Sequence, residues 1–153
     1  MRYTGTLFAV KDINLTVKFY EDLFDLKVEY DFGRCVSFDC GLHFQQDFDW
    51  LTGISVNEMK DKENNCEMVF EVGEFDHFIQ KLKVRNDITL LHDIMEHTWG
   101  QRVIRFYDLN NHLIEVGESM KSVVQRFLSQ DMTMEAIAER MDVKVSDVKT
   151  MLK

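Results

Sequence analysis

Glu115 is the residue whose setting most directly suggests chemistry. It lies in the run LIEVG, between Ile114 and Val116. A carboxylate among the apolar residues of a strand is unfavourable unless it is solvated, paired or bound to a metal. The sequence therefore predicts that Glu115 faces either water or a polar cavity.

Two strands joined by a tight turn must position this carboxylate. The segment Arg102–Glu118, RVIRFYDLNNHLIEVGE, alternates with period two and is rich in β-branched and aromatic residues, which is typical of strands. Asn110 and Asn111 supply the turn between them, because Asn tolerates left-handed backbone angles. Alternation also predicts that Leu113, Glu115 and Gly117 share one face of their strand.

Composition limits the classes of function. The chain has 153 residues, 45% of them apolar, and a net charge of −9, which argues against a role on nucleic acid or an anionic membrane. No apolar run approaches the ~20 residues that span a bilayer, and the N-terminus has no signal-peptide pattern. Three cysteines without CxxC spacing favour a reducing compartment, so we expect a cytoplasmic protein.

The order of predicted elements repeats along the chain. A strand at 6–10, a helix at 15–24 and three strands between 26 and 48 form one module of about residues 1–48. After a polar linker at 57–65, a strand at 67–72, a helix at 75–82, a strand at 88–95 and the pair within 102–118 form a second module of about residues 66–118. Each module is too small to bury its own sheet. We therefore predict an α+β fold in which the two βαβββ modules pair.

Residues 119–153 form a predicted C-terminal helical extension after the 1–118 domain. Their hydrophobic spacing predicts three helices, and the last two resemble a helix-turn-helix. The extension carries six basic and five acidic side chains, whereas residues 1–118 carry twelve and twenty-two. Asp147 on the last helix and the acidic body argue against nucleic-acid binding. We expect the extension to pack on the body or across a dimer.

Two segments, VKDINLTVKFYEDLFDLKV and HTWGQRVIRFYDLNNHLIEVGE, resemble the vicinal oxygen chelate superfamily. That superfamily includes glyoxalase I, bleomycin- and fosfomycin-resistance proteins and extradiol dioxygenases. The resemblance covers roughly residues 5–118, and it implies paired modules whose sheets form a partly closed, barrel-like cleft. It also implies a homodimer that takes a small-molecule substrate or ligand.

Four positions face the cleft in this superfamily, and the resemblance places them at Gly5, His43, Glu67 and Glu115. Gly5 and Glu67 stand where metal-binding relatives often have His. By resemblance, His43, Glu67 and Glu115 would hold one divalent ion, and Glu67 and Glu115 would be the catalytic carboxylates. A ligand set rich in oxygen favours Mn or Fe, with Ni and Zn possible. The alternative is a metal-free cleft with His43 hydrogen-bonded to a carboxylate.

Two further residues border the cleft in relatives, and here they correspond to Trp99 and Arg102. Trp99 could stack on a substrate and Arg102 could pair with a substrate carboxylate. Alternatively Trp99 packs the rim, and Arg102 and Arg105 offset acidic neighbours. The sequence thus leaves two functions open. One is a glyoxalase-like lyase or isomerase acting on a small oxygenated substrate, and the other is a metal-free binding protein of the bleomycin-resistance kind.

Overall fold

The computed structural model describes residues 1–153 and contains two β-sheets and six α-helices, so the predicted α+β class is confirmed. The chain divides into two compact units. The first comprises Met1–Glu63 and Leu109–Asn111, and the second comprises Asn64–Asp108 and His112–Lys153. None of the helices is long and apolar enough to cross a membrane. The partly closed cleft expected from the resemblance stays a prediction.

The first unit holds a four-stranded sheet in which the first and last strands of the module pair side by side. Its order is β1-β4-β3-β2, with β1 parallel to β4 and the other neighbours antiparallel. Asp12 caps the first helix by accepting a hydrogen bond from the Leu15 amide, and the helix ends at Asp25 in a left-handed conformation. The elements are β1 (Thr6–Val10), α1 (Ile13–Phe24), β2 (Val28–Asp31), β3 (Cys35–Phe38), β4 (Leu42–Gln46), α2 (Phe48–Thr52) and one 3₁₀ turn (Val56–Glu58).

Aromatic side chains fill the core of this unit. Tyr20 of α1 packs against Phe38 and Phe44, with ring centroids 6.2 and 4.6 Å away, and all three are fully buried. Leu7, next to Phe8 in β1, pairs with His43 of β4. Because side chains alternate along a strand, Leu7 and His43 lie on the face of the sheet opposite to Phe44 and α1.

The second unit repeats the pairing of its first and last strands. Its path is β5-β9-β8-β6, with β5 parallel to β9, and β7 also pairs with β8. The helix α3 buries Phe75, Phe78, Ile79 and Leu82 at a helical spacing. The elements are β5 (Met68–Val72), α3 (Phe75–Lys83), β6 (Thr89–Leu90), β7 (Met95–Glu96), β8 (Arg102–Tyr107) and β9 (Leu113–Glu118).

The strand predicted at 88–95 is wrong in its extent, because the structure breaks it into β6 and β7. Leu90 pairs with Phe106 and Met95 pairs with Val103. Leu90 and Met95 are five positions apart in the chain, whereas their partners on β8 are only three positions apart. Leu91 still donates its backbone N–H to the Arg105 carbonyl at 2.9 Å, so residues 92–94 leave the ladder. The apolar pattern of this segment predicts a continuous strand, because such a pattern does not report a bend.

The three predicted C-terminal helices are confirmed as α4 (Met120–Ser129), α5 (Met134–Met141) and α6 (Val145–Met151). They share a buried core that includes Val124, Phe127, Ile137 and Val148. Within the second unit, Arg126 donates to the Gly100 carbonyl and Arg140 donates to Glu96. The extension is therefore attached to the second sheet through polar contacts of its own helices.

Candidate functional site

The polar face of the second sheet is organised by the β8–β9 hairpin. Arg105 and Glu115 are directly paired across the two strands, and Val69 of β5 pairs with Glu115 on the other side. Directly opposite residues in a sheet bring their side chains together on one face. Glu67 immediately precedes β5 and lies on the same side of that strand as Val69.

A single guanidinium joins both candidate carboxylates. Arg105 Nε donates to Glu67 Oε2 at 2.8 Å, and Arg105 Nη2 donates to Glu115 Oε2. The side chains are 19% exposed for Arg105, 29% for Glu67 and 11% for Glu115. Glu67 is therefore the carboxylate that a ligand reaches most easily. Glu115 is less exposed, and its hydrogen bond helps to hold the Arg105 side chain in place.

These contacts also fix the charge state of the cluster. The hydrogen bond that Arg105 donates to Glu67 and the nearby charge of Glu115 hold the pKa of Arg105 above its ordinary value, despite the opposing effect of burial. A cationic Arg105 flanked by two carboxylates leaves one surplus negative charge. We call Glu67, Arg105 and Glu115 the carboxylate–arginine cluster.

His43 lies in the first unit, where it contacts backbone. Its Nε2 is 3.1 Å from the Thr4 carbonyl oxygen, which can only accept a hydrogen bond, so Nε2 carries the hydrogen. Gly5 lies directly beside this ring, and a Cβ there would overlap both His43 Nε2 and the Gly41 carbonyl. The imidazole thus takes the space that a ligating side chain at position 5 would need.

Arg102 lies on the opposite face of β8 from Arg105, since the two are three residues apart in a strand. It donates to Asp76 Oδ1 at 2.9 Å and to Glu118 Oε1 at 3.1 Å. The Glu118 hydrogen bond is the largest influence that raises the pKa of Arg102. These contacts use its guanidinium for a structural pair, and we do not include it in the cluster.

Glu118 receives a second arginine from the C-terminal extension. Arg126 Nη2 donates to Glu118 Oε2 at 3.0 Å, and the Glu118 side chain is only 3% exposed. Burial acts to raise the pKa of this carboxyl, but the hydrogen bonds from Arg126 and Arg102 together outweigh it, so the pKa is lowered. Glu118 therefore stabilises the junction between β9 and α4.

Trp99 lies between β7 and β8 with its ring partly exposed. His97 stacks on it with ring centroids 4.2 Å apart, and Trp99 Nε1 donates to Gln101 Oε1 at 3.2 Å. One face of the indole is therefore covered by imidazole. A role for Trp99 in stacking on a ligand stays a prediction.

The carboxylates present fit a divalent cation poorly in this arrangement. The Arg105 guanidinium already occupies the position between Glu67 and Glu115 that a metal would take, and its charge repels a second cation. Within neither unit do three or more His, Cys, Asp or Glu side chains form a group able to hold a metal ion. A metal bound by Glu67 and Glu115 would first require Arg105 to move.

Sequence reasoning treated Arg105 only as a residue that offsets acidic neighbours, and missed that it connects both candidate carboxylates. The signal was present in the hairpin. A turn centred on Asn110 places residues 105 and 115 at equal distances from it, and so opposite each other. The contact between Arg105 and Glu67 could not be derived in this way, because it depends on the parallel pairing of β5 with β9.

The sequence matches one protein family over most of its length. Residues 3–121 match the family described as "Glyoxalase-like domain". No curated protein matches the chain in sequence.

Solved structures support the same fold. A protein of unknown function from Agrobacterium tumefaciens str. C58 is 34% identical, with a TM-score of 0.66, covering 78% of this chain and 94% of that one. A glyoxalase/bleomycin resistance protein/dioxygenase family enzyme from Burkholderia phytofirmans PsJN is 12% identical, with a TM-score of 0.67 and coverage of 77% and 98%. A lactoylglutathione lyase from Agrobacterium tumefaciens is 20% identical, with a TM-score of 0.57 and coverage of 75% and 91%. The last two likenesses show the fold alone.

Proposed function

Because the chain belongs to the glyoxalase-like domain family, within the vicinal oxygen chelate superfamily, we propose that it is a metal-independent small-molecule-binding protein. In this proposal the carboxylate–arginine cluster is the polar recognition element of the second module. The observation that carries the proposal is the hydrogen bonding of Arg105 to both Glu67 and Glu115. The Arg105 guanidinium binds both of the carboxylates that a metal ion would otherwise bridge.

The charge of the cluster indicates the class of ligand. Two carboxylates against one guanidinium leave one negative charge, and Glu67 is the more exposed of the two acids. A partly buried carboxylate binds a cation or a hydrogen-bond donor more strongly than a fully solvated one. The ligand we propose is a small molecule that presents an amine or another donor group to Glu67.

The alternative is the metal-dependent lyase or isomerase, with His43, Glu67 and Glu115 as metal ligands and Glu67 and Glu115 as catalytic groups. The same residues argue against it, because the Arg105 guanidinium already binds both glutamates. The named lyase among the structural relatives is too distant in sequence to assign its reaction to this chain.

Metal content and ligand binding separate the two functions. The protein is purified without added metal or chelator, incubated with Mn²⁺, Fe²⁺, Ni²⁺ or Zn²⁺, desalted and analysed for bound metal. We expect substoichiometric metal in the parent. In Arg105→Gln, which frees both carboxylates, retention of metal should increase. Near-stoichiometric metal in the parent that is lost in both His43→Ala and Glu115→Ala would establish the lyase alternative.

A thermal-shift screen with matched pairs of small amines and acids tests the binding function. We expect amines to raise the melting temperature, and Glu67→Gln to remove the shift because it removes the surplus charge. Glu29→Gln, an exposed acid of β2, is the control that should leave the shift unchanged. Equal shifts in the parent and Glu67→Gln would contradict the assignment of the cluster.

We further propose that the protein is a homodimer, as its superfamily implies. Tyr30 and Phe32 of the first unit support this proposal, since they are 55% and 75% exposed and their rings stack with centroids 6.1 Å apart. Exposed apolar groups gathered in one part of a protein mark interaction surfaces. Sedimentation velocity across a hundredfold range of concentration would report the mass, and a monomer throughout would refute the dimer.

A further inference from the structure

The second unit contains a cavity that the carboxylate–arginine cluster does not use. Its volume is about 460 Å³, and it is lined by α3, by the segment that follows α3 and by Ile104 of β8. Ile104 neighbours Arg105 in the strand, so the two side chains point to opposite faces of the sheet. The cavity therefore lies on the helix face, away from the proposed ligand site.

Branched aliphatic side chains form the walls of this cavity. The break between β6 and β7 lets residues 92–94 leave the sheet, and the cavity lies beside this break. A volume of this size is in the range of small-molecule pockets, which are mostly apolar with a few polar groups. The apolar lining residues are Ile79, Leu82, Ile88, Leu90, Ile94 and Ile104.

The charged lining residues are Lys83, Arg85 and Asp93. Arg85 Nε donates to Asp87 Oδ1 at 2.8 Å, so its charge is already paired. Lys83, in the last turn of α3, is exposed and enters no salt bridge. Lys83 is therefore the lining cation that remains available to an anionic ligand.

We propose that this cavity binds a small aliphatic molecule with a single anionic group, such as a medium-chain carboxylate. The hydrocarbon chain fills the aliphatic walls and is held by the removal of apolar surface from water. The anionic end pairs with Lys83 at the rim. Asp93 disfavours a second negative charge, which limits the ligand to one. The site does not depend on the function proposed for the carboxylate–arginine cluster.

The isoleucine methyl groups provide a direct test. Ile79, Ile88, Ile94 and Ile104 line the cavity, whereas the chain's other isoleucines, Ile13, Ile54, Ile114 and Ile137, do not. Methyl spectra of the full chain with labelled isoleucines are recorded while sodium decanoate is added below its micelle-forming concentration. We expect saturable shifts at the lining methyls, and an affinity that rises roughly fourfold for each methylene from hexanoate to decanoate.

Variants with matched controls locate the binding. Leu90→Trp fills the cavity and should abolish the shifts, while Leu51→Trp, at the same 47% exposure in α2, should preserve them. Lys83→Gln should weaken decanoate binding roughly two- to fivefold and leave binding of the neutral 1-decanol unchanged. Lys149→Gln, an exposed lysine of α6, serves as its control.

Four results would overturn the proposal. One is the absence of shifts with decanoate at millimolar concentration. The second is shifts that spread equally to Ile13, Ile54, Ile114 and Ile137, which would indicate detergent-like binding. The third is equal affinity for decanoate and 1-decanol, which would remove the role of Lys83. Leu90→Trp that folds and still binds decanoate would also refute the cavity as the site.

Discussion

Gly5 lies against the imidazole of His43 with a φ of +148°. Because a Cβ would overlap both His43 Nε2 and the Gly41 carbonyl, we expect Gly5→Ala to lower the free energy of unfolding by roughly 3–5 kcal/mol. Urea denaturation at neutral pH measures this loss. Gly33→Ala is the control, since Gly33 also has a positive φ but no atom within 4 Å of its Cβ, and it should cost only roughly 1–2 kcal/mol.

The double variant Gly5→Ala/His43→Ala separates the two overlaps. Removing the imidazole should recover part of the stability, while the overlap with the Gly41 carbonyl and the backbone strain remain. The double variant can lose as much free energy of unfolding as the two single variants lose together. In that case the substitutions act independently, and the ring is not what excludes a side chain at position 5.

Glu118 makes the stability of the protein depend on pH. Its pKa is lowered in the folded state, so its contribution is fully present above the unfolded value of about 4.3. That contribution is lost as the pH falls through the lowered folded pKa. We expect Glu118→Gln to destabilise the protein at pH 7 by roughly 3–5 kcal/mol, because it leaves Arg102 and Arg126 without their shared carboxylate.

The same variant should also flatten the pH dependence, so that parent and variant converge as the pH falls below 4. Urea unfolding at pH values from 7 to 3 provides this measurement, with Glu29→Gln as the exposed control. An unchanged difference between parent and Glu118→Gln across that range would show that Glu118 does not titrate with folding.

At the residue scale, the sequence was informative about a carboxylate among apolar neighbours, but it left open whether a metal ion or a neighbouring arginine offsets its charge. Glu115 is buried and contacts Arg105, whereas its position in the LIEVG run predicts either water or a polar cavity. Its neutralisation by Arg105 follows from hairpin register. The further link to Glu67 requires the non-local pairing of β5 with β9, which periodicity within a single strand does not contain.

Among the elements, α4 depends most on one aromatic side chain. Phe127 is fully buried in the core of the C-terminal helices, and its ring lies against Gly100. Phe127→Ala should lower the free energy of unfolding by roughly 3–5 kcal/mol, because it leaves a cavity among packed helices. Leu128→Ala, which changes the neighbouring residue at 38% exposure, should cost less than about 1 kcal/mol. Chemical denaturation followed by circular dichroism compares the two, and equal losses would contradict this packing.

The short helix α2 was not predicted, whereas α1, α3, α4, α5 and α6 were the elements that the sequence predicted best. Each carries a run of apolar residues at helical spacing, and the helix beginning after Thr133 has the side-chain cap that its sequence predicts. The 88–95 segment was predicted incorrectly because Ile88, Leu90, Leu91 and Ile94 serve two purposes. Leu90 pairs in the sheet and also lines the aliphatic cavity, whereas Leu91 bonds to β8 and Ile88 and Ile94 line the cavity. Alternation in the sequence does not distinguish these positions.

For the whole molecule, the distribution of charge indicates whether the C-terminal extension binds nucleic acid or has a structural role. The helices α5 and α6 are joined by a short connection, and this order of elements resembles that of a helix-turn-helix. However, Arg126 and Arg140 donate to Glu118 and Glu96 within the second unit. This leaves only the lysines of the extension to meet phosphates, in a chain whose net charge is −9.

Association with DNA requires several phosphate contacts and weakens steeply with salt. We therefore expect the full chain to show no change in the fluorescence anisotropy of a labelled 20-base-pair duplex at physiological ionic strength. At low salt, Lys149→Gln should leave any weak binding unchanged. The acidic residues of the chain repel the duplex and so prevent a specific contact between α6 and its phosphates. Binding that persists at physiological salt and is lost in Lys149→Gln would show that the exposed face of α6 contacts DNA. The extension would then be a functional domain in addition to a support for β9.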